Sequence, residues 1–191
     1  LCVNKPYALE QFESAIALIS RHCKALAYVL LKPSFLTERE AVEDTIRAIK
    51  YAFHAGVEVV SVEPISVGRH AMSGALSRLG LYRPAWLWSV LEVAKCSFSL
   101  GETRIGGYQF APSYGDHARN CECCTIPIKE KIREFNGTAR FEVFQELQCS
   151  CKAAWRDEMD RSHPPLLDRI EAAIAVLSEQ YPDIEVPPLA A

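Results

Sequence analysis

KALAYVLLKPSFLTEREAVEDTIRAIKYAFHAGVEVVSV, residues 24–62, decides the fold class. Its opening, Lys24 to Leu31, is a continuous apolar run, which fits a strand buried on both sides. Pro33 ends it, having no N–H to give a ladder. Thr37 then precedes Glu38, Arg39 and Glu40 as a candidate N-cap. Its side-chain oxygen can accept from an orphan amide, and acidic residues suit the positive end of the helix dipole. Ala41, Val42, Thr45, Ile46, Ile49 and Phe53 recur at helical spacing and form the inner face. Gly56 supplies the stop, and Val57 to Val62 is a second β-rich run closed by Glu63-Pro64.

The same alternation continues on both sides. Gln11 to His22 places Phe12, Ala15, Ile16 and Ile19 on one helical face. A helical stretch from about His70 to Leu79 stops at Gly80, and another begins near Pro84 and runs toward Cys96. Thr103 to Phe110 reads as a third strand, with Gly106 and Gly107 marking a bulge or a close backbone approach. Alternating helices and strands predict an α/β fold with parallel pairing. Three strands fit an open doubly wound sheet or part of a closed barrel, and either way functional groups gather at the carboxyl ends of the strands. Here those positions are Lys32-Pro33-Ser34 and Glu63-Pro64-Ile65-Ser66. Taken singly, Lys32 and Glu63 read as solvated loop charges. Their equivalent placement in successive units raises the pocket reading to an even footing.

A chain of 191 residues suits one domain, or a domain with an appendage. With 49% hydrophobic and 24% charged residues, extended disorder and collagen-like structure are excluded. The net charge of -3 gives no basic excess to announce a nucleic-acid partner. No apolar run approaches the roughly 18 residues of a membrane span, and no signal segment opens the chain, so a cytoplasmic protein without a membrane partner is expected. The first residue is Leu1, which suggests a piece of something longer.

Of eight cysteines, Cys121, Cys123, Cys124, Cys149 and Cys151 fall within 31 positions. In a reducing compartment such clustering reads as metal ligation before disulfides. Cys121 with Cys124 has the C-x-x-C spacing that lets one turn aim two sulfurs at an ion, and Cys149 with Cys151 forms a tighter C-x-C pair. These four are the expected ligands of a structural zinc, with Cys123 spare and His117 a substitute. An iron–sulfur cluster shares the ligand set, and free or redox-active thiols are the plainer reading. Between the knuckles, Ile126 to Phe135 reads as a short helix broken by Gly137, and Arg140 to Leu147 as another, an excursion with little core of its own. Pro164-Pro165 opens a terminal amphipathic helix through Leu177, followed by a tail with Pro182, Pro187 and Pro188. Trp86 and Trp88 are two apart, so a helix turns one of them to the core and the other to a rim or pocket.

Several segments in a fixed order carry a family resemblance: LLKPSFLTEREAVEDTIRAI, SVEPISV, LYRPAWLWSVLEV, TRIGGYQF, NCECC and LQCSCKAAW. Over residues 1–155 the chain resembles the radical-SAM proteins related to the archaeosine-synthase radical-SAM subunit, and more distantly the elongator-type and methylthiotransferase-type enzymes. The resemblance implies a partial (β/α) barrel, the C-terminal half of a TIM-like barrel. In the complete enzyme a three-cysteine motif holds a 4Fe-4S cluster that cleaves S-adenosylmethionine to a radical, and the archaeosine substrate is a deazaguanine base in tRNA. No three of the eight cysteines here have C-x-x-x-C-x-x-C spacing, so the cluster lies in a missing N-terminal half or a partner subunit. Two positions depart from the family: Gly68-Arg69-His70-Ala71 replaces a Gly-Thr, and Lys32-Pro33-Ser34 replaces K-P-P. By position, Lys32 and Glu63 are the expected contacts to cofactor or substrate.

The expected organisation is a half-barrel over 1–112, a small helical metal-knuckle segment over 113–155, and a helix with tail over 156–191. Its expected function is the C-terminal portion of a radical-SAM enzyme of tRNA or nucleobase modification, inactive without the cluster-binding part. The alternative is a non-enzymatic, zinc-stabilised binding module for a protein or RNA. An incomplete barrel also exposes a strand edge, which favours self-association.

Overall fold

The computed structural model describes residues 8–106 and 116–182. Helix α1 (Leu9–Ile19) leads into strand β1 (Leu26–Leu31), then α2 (Glu38–His54), β2 (Val59–Pro64), α3 (Met72–Arg78), α4 (Leu87–Ser97) and β3 (Glu102–Ile105). After the undescribed stretch come α5 (Glu122–Thr138), a 3-10 turn (Phe141–Phe144), α6 (Cys151–Asp160) and α7 (Leu166–Gln180). The strands form one parallel sheet in the order β1-β2-β3, with Leu30 opposite Glu63 and Val62 opposite Ile105. No helix among the described residues is long and apolar enough to cross a membrane.

α2 forms where its N-terminal chemistry demands it. The Thr37 hydroxyl accepts from the Glu40 N–H at 3.2 Å, and the Glu40 carboxylate accepts from the Thr37 N–H at 2.8 Å, a reciprocal box that satisfies two orphan donors. The helix ends at Ala55, and Gly56 follows with φ 96, a conformation that a Cβ would oppose.

The two faces of the sheet are unequal. Val29, Leu31, Val60, Val62, Thr103 and Ile105 are buried under the helical layer. On the opposite face Tyr28 is 71% and Leu26 42% exposed, and Glu102 and Arg104 are also exposed. The expectation of a first strand buried on both sides therefore fails. An apolar run records how hydrophobic a strand is, and here β1 is an edge strand with one covered face. Parallel sheets are ordinarily covered on both faces, so this second face, where Val59 and Ser61 of the central strand are buried but the outer strands are exposed among the described residues, is the fold's most informative feature.

Beyond β3 the sequence reading needs further corrections. α5 begins at Glu122, four residues before the expected start, because Cys121 serves as its N-cap and the Thr125 hydroxyl donates to the Cys121 carbonyl at 2.8 Å. Gly137 does not break it, since a glycine in the last turn costs only about 1 kcal/mol, and the helix ends instead at Ala139 in the left-handed region, φ 53. The second expected helix shrinks to the 3-10 turn, and α6 has no counterpart among the elements read from the sequence. Nor does the excursion lack a core: Ile128, Ile132, Phe135, Phe144 and Trp155 join the apolar cluster that includes Val60, Leu87 and Val90. Phe135 and Phe144 pack at 5.1 Å, and Phe141 stacks on Phe98 at 4.9 Å. The expected third strand through Phe110 is described to Ile105; residues 107–110 lie outside the described residues, as do Pro187 and Pro188.

Candidate metal centre and the adjoining polar cluster

Two chain reversals bring four sulfurs together. Cys121 and Cys124 lie at the start of α5, while Cys149 and Cys151 lie at the start of α6. The Sγ atoms of Cys121 and Cys124 are 3.6 Å apart, those of Cys121 and Cys149 3.4 Å, and those of Cys124 and Cys151 3.5 Å. All four lie within 4.8 Å of one another. Four thiolates about 2.3 Å from one tetrahedral ion stand roughly 3.8 Å apart, so the spacing fits a single ion. A four-iron cube places each thiolate on a separate corner and needs wider spacing. Cys123 points to solvent, and His117 is outside the group, its Nε2 buried without a partner.

The thiols are unequal. Hydrogen bonds from Cys149 and Cys124 pull Cys121 down to about 6, whereas burial and then its sulfur neighbours push Cys124 up. Such a cluster shares protons among its sulfurs, and a divalent ion that displaces them relieves both the crowding and the buried proton. Neighbouring groups orient the ligands. The Trp88 indole N–H donates to Cys151 Sγ at 3.3 Å, and the Lys152 ammonium lies 5.1 Å over the Trp88 ring. Of the two tryptophans, Trp88 is the buried one, while half-buried Trp86 carries the Arg83 guanidinium 4.8 Å over its ring.

A second cluster occupies the carboxyl end of β1. Lys32 is 4% and Glu38 1% exposed, and the Lys32 ammonium meets Glu38 Oε2 at 2.5 Å. Glu38 Oε1 accepts from the Trp86 N–H at 2.8 Å and from the Ser89 hydroxyl at 2.6 Å. Trp155 Nε1 donates to Ser89 Oγ at 2.8 Å, so hydrogen bonds run from the β1 turn through α4 to the helix that begins with Cys151. The Asn120 side-chain oxygen takes the Leu87 N–H at 2.9 Å, supplying with Glu38 the N-terminal caps that α4 lacks locally. The Tyr82 hydroxyl donates to the Lys32 carbonyl at 2.8 Å, and its pKa is pushed up by burial and then by the Glu38 carboxylate. Sequence reasoning missed Glu38 as a buried counter-ion, because a glutamate in a first helical turn normally faces solvent.

Glu63 lies elsewhere, half-buried on the opposite face of the sheet. The Ser61 hydroxyl donates to its Oε1 at 2.7 Å, and a Cβ on Gly106 would collide with its carboxylate. Glycine at that position lets the carboxylate lie against β3 and fixes where it points. Lys32 is engaged by Glu38, so the two charges read from the sequence serve different surroundings.

Over this whole region the chain is similar to archaeosine synthase subunit beta. The protein of that name from Methanosarcina acetivorans is 28% identical over 165 residues, covering 83% of this chain and 46% of that protein. The one from Thermococcus kodakarensis is 28% identical over 160 residues, covering 80% and 48%. An uncharacterized protein of Methanocaldococcus jannaschii is 28% identical over 162 residues, covering 80% and 43%. The chain thus spans about half the length of the curated relatives it matches. No family model matches it, and no solved structure does.

Proposed function

We propose that the chain is the C-terminal portion of a radical-SAM enzyme that modifies a nucleobase in tRNA, completed by a stretch of polypeptide or a partner subunit bearing the cluster motif. The observation that carries this reading is the three-stranded parallel sheet buried under helices on one face, while on the other, among the described residues, its outer strands expose Leu26, Tyr28, Glu102 and Arg104. A half (β/α) barrel has this form, since its inward face is covered only when the remaining strands close around it. Similarity to about half of a subunit named for archaeosine synthesis supports both the reading and the tRNA substrate.

The S-adenosylmethionine-cleaving cluster does not fit this chain's own residues. The sequence has no C-x-x-x-C-x-x-C, and the four gathered thiolates leave no open coordination position. No step of radical formation therefore belongs to these residues. On this reading the four cysteines hold one structural zinc, which contributes folding free energy and ties α6 to the start of α5. Glu63, fixed against Gly106 on the inward face, contacts substrate or cofactor there. Lys32 and Glu38 hold the turn after β1 in place at the same end of the sheet.

The test is 5′-deoxyadenosine formation from S-adenosylmethionine under strong reductant. Residues 1–191 alone should give none, and adding a polypeptide with the cluster motif should restore it. Cleavage by the chain alone overturns the proposal. One bound zinc with no cleavage in any combination favours the binding-module alternative.

A further inference from the structure

We propose that the open cleft lined by the β1–α2 loop, the α3–α4 linker and the α6–α7 linker binds the phosphate group of a nucleotide. This goes beyond the half-barrel reading and does not depend on it. The cavity holds about 490 Å³, within the range of small-molecule sites and far larger than a bare phosphate needs. It adjoins the carboxyl end of β1, where ligands of parallel sheets collect.

Its lining is divided by chemistry. Arg83 and Arg161 supply a cationic wall beside His163, and Phe35 and Leu81 an apolar one. Arg83 and Arg161 both lean on the single carboxylate of Glu158, at 3.4 and 3.6 Å, so two guanidinium groups share one charge. Their side chains are 49% and 60% exposed, with donors left to direct at a ligand. The cavity's other acid, Glu38, is committed to Lys32. Arg169 is committed as well, to Glu40 and the carbonyls of Phe35 and Pro164, and serves to hold the loop. The result is a local cationic excess in a chain of net charge -3. A carboxylate can fill one guanidinium fork, whereas a phosphate has oxygens for both. The apolar wall then suits the base or sugar that a free inorganic ion lacks.

Calorimetric titration of the full chain at low salt tests this with inorganic phosphate, adenosine, adenosine monophosphate and a short single-stranded RNA. Adenosine monophosphate should bind more tightly than phosphate, with no binding by adenosine. Arg161→Gln should weaken it about tenfold, the value of one charge-assisted hydrogen bond, and Arg83→Gln/Arg161→Gln further still. Among the described residues Arg161 pairs with Glu158 alone, so an unchanged thermal melt should certify the fold of its variant. RNA binding without mononucleotide binding, lost in the same variants, assigns the phosphate to a polymer. Absence of binding by mononucleotide and RNA alike, or binding that Arg161→Gln leaves untouched, overturns the proposal.

Discussion

Lys32 and Glu38 form an ion pair that water scarcely reaches, and its energetics are asymmetric. Removing one partner of such a pair leaves an uncompensated buried charge and costs about 3–5 kcal/mol, while neutralising both can be nearly free. Lys32→Met should therefore lower the urea midpoint markedly. Adding Glu38→Gln, which keeps acceptors for the Trp86 N–H and the Ser89 hydroxyl, should recover much of the loss. A double variant as unstable as the single would show that the pair serves as more than mutual compensation. Glu40 is the contrasting case. Partial burial pushes its carboxyl up, but the Thr37 N–H and hydroxyl and the Arg169 guanidinium outweigh this and hold it below the ordinary glutamate value. A depressed carboxylate contributes stability above its unfolded pKa and loses it as pH falls through the folded one. Glu40→Gln should cost less than about 1 kcal/mol at neutral pH, since solvent screens the pair. The gap between wild type and variant should then close progressively below about pH 4.5 in urea melts.

At the scale of elements, the metal centre decides whether α5 and α6 keep their places. Cys124 is the buried ligand, and serine there removes one of four thiolates. The wild type should bind one equivalent of zinc, and Cys124→Ser should lose it together with helicity. A loss of about 4 kcal/mol corresponds to a melting shift on the order of 10 °C for a chain of this size. A metal-free wild type that is equally helical and equally stable would remove the centre from the account. These elements also show how far the sequence could be read. Cys121, Cys124, Cys149 and Cys151 were legible because paired spacing reports geometry directly. α6 was not, since among its residues only Trp155 is buried and no apolar stripe marks it. The α1–β3 alternation was legible because each period is local. The Lys32–Glu38 pair was hidden because it depends on Lys32 turning back with φ 60, which no residue type there announces. One-sided burial of β1 was hidden too, because an apolar strand covered on one face has the same composition as one covered on both.

At the scale of the molecule, the uncovered sheet face sets the expectation. Tyr28 and Leu26 expose apolar surface on the face that also carries the fixed carboxylate of Glu63, with Tyr28 opposite Ser61 and Leu26 at the amino end of its strand. A large aromatic exposed on an edge strand has the character of an interface anchor. A stable one-to-one complex with a polypeptide carrying C-x-x-x-C-x-x-C should therefore depend on that side chain, which makes no core contact that folding of the present chain requires. The direct measurement is the sedimentation affinity of this complex for the wild type and for Tyr28→Arg. The half-barrel account predicts a loss of at least about thirtyfold with an unchanged melt of the isolated chain. Equal affinity in the two, or no complex with the wild type, would contradict it.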